Sequence, residues 1–543
     1  MALKEMRDRF FENFDNYRLG IPWDANRRKP FKPLEGDAPI IFIPVNVDAR
    51  QLPFRVATAA GVNLDTVEDL SRLQNSIRHA HNELQRLKDN IMSRGNGERF
   101  VYQRCLGWGG YGLAAVFDIR DENGQKIRGI VVKILLKNDE KLMEEEVAAL
   151  NIHARSEHII QLAETDRELL DQEEDPTVKA AVTKRRQRKV AKRRQREADS
   201  EPQPRPQIQV FPAIMLELLE NGDLSNFITK VRERNETVPN RILWRFFLCL
   251  VRMCIGLAYP PDKIEEYNDQ PGPITETVPD RLKNNPSRIV HFDMDPKNIF
   301  VGDFVGEEHK LTPLLKLGDF GLATKIEDNK LDSYYERFRD WGKLGFLAPE
   351  QFCLDWDYIP RGRNRTVRDH PIAGNYRWHT NLWGVGMIME CLVTLCYPQI
   401  PPMPTESTSA KPKNKPKYWT HGGHLLGEEY NHVDKQLRTA IMRCQAHFPE
   451  YRPKLHALEA FLLSRIKRDY ADESDDSIAD WLHMILYDVP PGFLGVGNAA
   501  WGAGQGSFAQ PVAPSPSPAP GQAQAQPQSR PASVGPVRRY HRC

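Results

Sequence analysis

Ile289-Val290-His291-Phe292-Asp293-Met294-Asp295-Pro296-Lys297-Asn298-Ile299-Phe300, followed 21 residues after Asn298 by Asp319-Phe320-Gly321, is the stretch that decides how this chain folds. An Asp, an Asn five residues on and a second Asp supply a candidate base and two oxygen ligands for a hard cation such as magnesium. Ala348-Pro349-Glu350 closes the segment beyond.

Working outward, Gly107-Trp108-Gly109-Gly110-Tyr111-Gly112 lies between two β-like runs. Glycines at Gly107, Gly109 and Gly112 let the backbone approach phosphates and turn its N–H groups on them. A strand rather than a helix follows, which excludes a dinucleotide fingerprint. Lys133 sits 26 residues after Gly107 inside the apolar run Ile130-Val131-Val132-Lys133-Ile134. A Lys there is costly to bury without a partner; on its own it reads as an edge-strand Lys reaching solvent. The partner expected is a Glu on the following helix, where Glu144, Glu145 and Glu146 all qualify. Glu146 fits best, because Val147 and Leu150 continue the apolar pattern behind it, and Glu145 is left open.

These five motifs, in this order, resemble those of the eukaryotic protein kinase family, which read G-x-G-x-x-G, V-A-I-K, H-R-D-x-x-x-x-N, D-F-G and A-P-E. The resemblance covers about 100–465, insertions excepted. It implies an α+β, bilobal protein kinase-like fold, with a small antiparallel-sheet N-lobe, a larger helical C-lobe, insertions and a disordered C-terminal tail. It implies ATP and Mg2+ (or Mn2+) as cofactors and Ser/Thr hydroxyls of protein substrates as acceptors. Nothing in the loop resembles the tyrosine-kinase patterns. By this likeness Gly107, Gly109 and Gly112 cover the phosphates, Lys133 binds them and Glu146 holds Lys133. Asp293 accepts the hydroxyl proton, and Asn298 and Asp319 hold magnesium. Leu216 would be the gatekeeper, the backbone of Glu217 and Leu219 would read adenine, and Asp223 would reach the ribose. Glu350 would pair with Arg452. Trp383 and Gly386 match the central helix of the large lobe, with Asn381 where an Asp is usual.

Four residues depart from the family. Phe292 replaces the Arg that receives an activation-loop phosphate, so loop phosphorylation is not expected to be the main switch, despite Ser333, Tyr334 and Tyr335. Asp295 replaces the Lys that contacts the transferring phosphate; Lys297 is the nearby candidate to return a cation. Losing such a cation costs roughly 10²–10³ in rate. Lys343 stands where a Thr usually braces the catalytic Asp, and Ala114 replaces the Val that roofs adenine. The HFDMDPKN form resembles a divergent kinase group of filamentous fungi. A pseudokinase, a nucleotide-binding scaffold with little or no transfer, is the alternative that these departures support. A small-molecule kinase is disfavoured by Ala348-Pro349-Glu350 and Arg452.

The remaining chain frames this domain. Residues 1–98 form an N-terminal extension in which Leu70, Leu73, Ile77, His81, Leu84 and Leu87 predict an amphipathic helix. The kinase-like domain is expected at 99–465, with a charged insertion at 164–209 and loop insertions at 260–287 and 401–424. A flank at 466–489 leads into an Ala/Pro/Gln-rich tail at 490–543 that lacks the apolar residues to fold. The run 184–196 holds nine Lys/Arg in 13 residues. It reads as a solvated charged loop, or as a nuclear import signal or a contact for an acidic or nucleic-acid partner through its phosphates. The composition, 40% hydrophobic and 27% charged with a net charge of +2, is ordinary for a globular chain. The N-terminus has no apolar signal-like core and the longest apolar run is broken by Arg245 and Arg252, so no membrane segment is expected. Eight scattered cysteines without metal-type pairing in sequence fit a reducing, intracellular setting, cytoplasmic and/or nuclear.

Overall fold

A computed structural model of the chain describes residues 79–89, 91, 99–108, 112–135, 140–163, 213–261, 264, 272–353, 356, 371–398, 404–407 and 418–488. Gly109, the charged insertion at 164–209 with its basic run 184–196, most of the N-terminal extension and the tail at 490–543 lie outside these residues.

The fold is α+β. Strands β1 (Phe100–Trp108), β2 (Gly112–Arg120), β3 (Lys126–Leu135) and β4 (Ala213–Glu217) form one antiparallel sheet in the order β1-β2-β3-β4. The β2–β3 turn is closed by Asp121, whose Oδ1 accepts the amides of Asn123 (2.9 Å) and Gln125 (2.8 Å). Alternation along β3 sends side chains to opposite faces. Ile130, Val132 and Ile134 pack with Ala80, Leu84 and Leu87 of helix α1 (79–89), while Val131 belongs to the larger core on the other face. Lys133 shares that second face. Within α1 the apolar stripe runs through Ala80, Leu84 and Leu87; His81, which the spacing placed on the stripe, is exposed.

Helix α2 (Glu140–Ile152) puts Met143 and Leu150 into the larger core. That core is built around α4 (Asn240–Ala258), in which every residue from Ile242 to Ala258 except Arg245 is buried. An all-round apolar helix must be covered on all sides, and α3 (Leu224–Glu233), α5 (Trp378–Thr394), α6 (Lys435–Cys444) and α7 (Leu455–Arg465) contribute to the same cluster. The core continues past the expected boundary at 465. Helix α8 (Asp475–Leu486) buries Ile478, Leu482, Ile485 and Leu486 in it, and Trp481 meets Phe227 of α3 edge-on at 6.0 Å.

The two expected loop insertions are partly structured. In 260–287, Ile274 and Glu276 are buried and Ile274 bridges to Ser156. At 401–424, Thr405–Glu406 pairs with Trp419–Thr420 as a small antiparallel ribbon. None of the described helices is long and apolar enough to cross a membrane.

Candidate active site

Lys133 is the first fixed point. Its Nζ donates to Glu146 Oε1 (2.7 Å) and Oε2 (2.9 Å) on α2 and to Asp319 Oδ1 (2.7 Å). Glu145 instead faces Lys141 at 3.7 Å on the exposed side of the helix. Burial works against the charge on Lys133, but Asp319 and Glu146 outweigh it and hold its pKa above the ordinary lysine value. Burial keeps Glu146 raised despite Lys133, whereas Asp319 is lowered because Lys133 overcomes its burial. Asp319 has φ 57°, a left-handed conformation that Asp tolerates, and its side chain is 43% exposed. Phe320 is buried against His291 (5.0 Å) and His153 (5.4 Å), anchoring the segment in the core.

The loop carrying Asp293 runs from β5 (Ile289–Val290) to β6 (Ile299–Val301), which pairs with β7 (Leu315–Leu317). Asn381 of α5 pins its start, accepting from the His291 amide (2.9 Å) and donating to Ile289 O (2.8 Å). His291 is fully buried, with Nε2 against Gly318 O at 3.1 Å and Nδ1 accepting the Asp293 amide at 3.3 Å. Burial holds it neutral, with a pKa pushed down to about 4. Asn298 Nδ2 donates to Asp293 O (2.7 Å), Asp293 Oδ2 (2.9 Å) and Asp295 Oδ2 (3.3 Å). The amide nitrogen is thereby consumed inside the loop, and the Asn298 oxygen is left as an acceptor. Asp293 Oδ1 is buried and finds no hydrogen-bond partner among the described residues.

Asp295 is 2% exposed, and its two oxygens are divided. Oδ1 caps the 3-10 turn Pro296–Asn298 by accepting the Lys297 amide at 2.8 Å. Oδ2 is ion-paired with Lys343 Nζ, which also lies 3.8 Å from Asp293 Oδ2. Burial raises both aspartates, and the nearby ammonium partly offsets it. The cation at this pair of carboxylates is therefore Lys343, while the Lys297 side chain is exposed. Two residues that looked like independent departures, Asp295 and Lys343, form one ion pair.

Phe292 has φ +62° and turns its ring to the other side of the loop. There it stacks on Phe338 (5.1 Å, 8° between planes) and meets Trp341 (5.8 Å) and Tyr376 (5.4 Å) edge-on. Gly342, between Trp341 and Lys343, has φ +102°, and a Cβ there would lie 2.2 Å from Phe292 O. Only glycine fits at that close approach. Further on, Glu350 and Arg452 form a fully buried two-point pair at 2.7 and 2.8 Å. Arg452 overcomes burial and holds the Glu350 carboxyl far below its usual range.

Gly107 and Gly112 lie at the facing ends of β1 and β2; a Cβ on Gly112 would come 2.6 Å from Ile134 O. Glu217 ends β4 with its carboxylate held by Lys316 (2.8 and 3.0 Å) and the Gln161 amide (2.7 Å). Its own amide donates to Gln161 O at 3.1 Å, and Leu219 follows on the connection to α3. Asp223 caps α3 through the Asn226 amide at 2.8 Å, and burial pushes its pKa up to about 6. Reasoning from the sequence missed Lys343 as a member of the site. The signal was present, since a lysine and an aspartate each stood where the other charge, or none, belonged.

No family model matches the chain. It is 22% identical over 284 residues to the proto-oncogene tyrosine-protein kinase ROS of Gallus gallus, covering 51% of this chain and 10% of that protein. It is 26% identical over 176 residues to the G2-specific protein kinase nimA of Emericella nidulans (32% and 21%). With the human serine/threonine-protein kinase Nek10 it shares 25% over 186 residues (34% and 11%). The matches therefore span a small part of each relative's own length. In motif order, in the residues those motifs bring together and in its curated relatives, this chain resembles the protein kinases.

Proposed function

We propose that the chain transfers the γ-phosphate of ATP to Ser/Thr hydroxyls of protein substrates, through a bilobal kinase-like domain at about 99–488, inside the cell. The observation that carries this reading is Lys343 at the Asp293–Asp295 pair. A scaffold has no need to return a cation to the point from which the usual lysine has gone.

The residues present fit magnesium and a nucleotide triphosphate. Asp319 offers a partly exposed carboxylate, Asn298 an oxygen freed by its nitrogen's commitments, and Lys133 an ammonium fixed by Glu146. Magnesium supplies neutralisation of phosphate charge when bound. Lys133 orients the phosphates, while Gly107, Gly109 and Gly112 let backbone approach them. Glu217 and Leu219 offer backbone groups to the base. Asp223, already used as a helix cap, keeps one carboxylate oxygen for the ribose. Asp293 Oδ1, an acceptor with no partner among the described residues, suits the hydroxyl of the substrate and takes up its proton. Lys343 then balances negative charge beside Asp293 as it develops. The aromatic packing of Phe292 supports activity that does not wait for a loop phosphate.

A nucleotide-binding scaffold is the second reading, favoured by Phe292 and Asp295 standing where a kinase usually has Arg and Lys. The test is transfer of labelled phosphate from ATP by the full chain, with magnesium or manganese, onto itself and onto a generic basic protein. Incorporation as phosphoserine or phosphothreonine that vanishes in Asp293→Ala is expected. Nucleotide binding without incorporation by either protein would favour the scaffold, and phosphotyrosine would overturn the acceptor class.

A further inference from the structure

Three ligand-type side chains that take no part in this chemistry meet inside the helical core. His158 comes from the segment after α2, Cys249 from the middle of α4 and His309 from the loop between β6 and β7. One ligand atom from each lies within 4.8 Å of the others, and the three residues are 0%, 1% and 2% exposed. We propose that His158 Nε2, Cys249 Sγ and His309 Nδ1 bind a structural zinc ion that enters as the chain folds.

The geometry comes first. Cys249 Sγ lies 3.8 Å from His309 Nδ1. Zinc bonds of about 2.3 Å to sulfur and about 2.0 Å to nitrogen, at tetrahedral to trigonal angles, separate two such atoms by about 3.5–3.7 Å, a tenth of an ångström short of the spacing found. An S–H···N contact also falls at this distance, so the surroundings have to decide. His158 is fully buried, and besides Glu276 its ring faces the Cys249 thiol. Its Nδ1 is 2.7 Å from Glu276 Oε2, and Oε1 of the same carboxylate accepts the His158 amide at 2.9 Å. A buried carboxylate behind an imidazole is the arrangement that fixes a metal-binding tautomer and strengthens the ligand. Glu276 has no solvent to serve, being 3% exposed. A thiolate and two imidazoles are a donor set that suits zinc over magnesium or calcium.

Such an ion would fasten three pieces of chain. His158 O accepts the Leu317 amide at 2.9 Å, and Leu317 ends β7 two residues before Asp319. His309 holds the β6–β7 loop, and Cys249 belongs to the central helix. The proposal does not depend on the chain being an active kinase. Three protein ligands leave one position of the tetrahedron to water, and burial keeps substrates away from it.

The experiment is metal analysis of the full chain purified from zinc-supplemented medium. About one zinc per chain is expected, with Cys249→Ser and His309→Gln losing at least about 90% of it. Cobalt exchanged for zinc in the unmutated chain should show a thiolate-to-cobalt charge-transfer band, a readout that needs no variant to fold. Glu276→Gln should fold and bind zinc about 10–100-fold more weakly. A folded chain that takes up no zinc, equal zinc in Cys249→Ser, or cobalt without the thiolate band would each overturn the site.

Discussion

The two sides of one loop are held together by opposite means. On one side of residue 292, Asp293, Asp295, Asn298 and Lys343 form a network of charge and hydrogen bonds. On the other, Phe292, Phe338, Trp341 and Tyr376 form an apolar stack. The ionic side keeps net negative charge close to where phosphate chemistry would occur and neutralises part of it with one ammonium. The aromatic side places no charge where the family uses an arginine. The ionic contacts lie beside the candidate base and are expected to act on rate as well as stability, the stacked rings mainly on stability. Gly342 joins the two, since its neighbours Trp341 and Lys343 belong one to each side.

The ionic side should give the largest effect. Lys343→Met removes the ammonium from two buried carboxylates and is expected to lower kcat by about 10²–10³, with a smaller change in KM for ATP. Steady-state kinetics beside circular dichroism separates that loss from unfolding. The aromatic side should behave differently. Phe292→Ala is expected to cost about 3 kcal/mol of stability in denaturant titration, as a buried ring leaves a cavity. A residual activity per folded molecule near that of the parent would sharpen the contrast, and an unchanged denaturation midpoint would break it. Gly342→Ala should disturb both sides at once, losing about 2 kcal/mol or more through its positive φ and the close Phe292 carbonyl.

Smaller effects follow. Phosphatase treatment should leave activity within about twofold, because no arginine at 292 awaits a loop phosphate; a large fall would assign the switch to another cation. His291 should stay neutral in native protein down to about pH 4, while the unfolded residue titrates near its ordinary 6.5. Its folded pKa is depressed, so protonation favours the unfolded chain. This contribution erodes stability as pH falls from about 6.5 towards 4, and is constant below. Histidine NMR titration reads the group directly, and a native pKa near 6.5 would contradict its burial.

Much of the site was legible because its logic is local or ordered. Asp293 and Asn298 share one turn, and Asp319 lies one hairpin further on. Lys133 sits on an apolar strand that makes a partner obligatory. The strand around Lys133 was readable from its apolar run, whereas the apolar run of α4, broken by Arg245 and Arg252, served only to exclude a membrane segment. Other features resisted for a physical reason. Lys343 and Asp295 are 48 residues apart, and each read alone looks like damage; only the fold shows that they meet. Ile274 and Glu276 lie in a Pro- and charge-rich stretch whose composition suggests solvent, yet they pack against Ser156 and His158. The His158–Cys249–His309 group draws on three segments with no spacing rule between them. In α1 Leu84 and Leu87 are buried on the stripe but Ala80 rather than His81 joins them, and Leu70, Leu73 and Ile77 lie outside the described residues.

The most direct test of the central claim is a charge exchange. Lys343→Thr and Asp295→Lys are made singly and together, and phosphate transfer is measured for all four proteins under one set of conditions. The account predicts that each single variant loses about 10²-fold or more and that the double variant recovers to within about tenfold of the parent, a coupling only a shared cation explains. A Lys343→Thr variant as active as the parent, or a double variant no better than the worse single one, would contradict it.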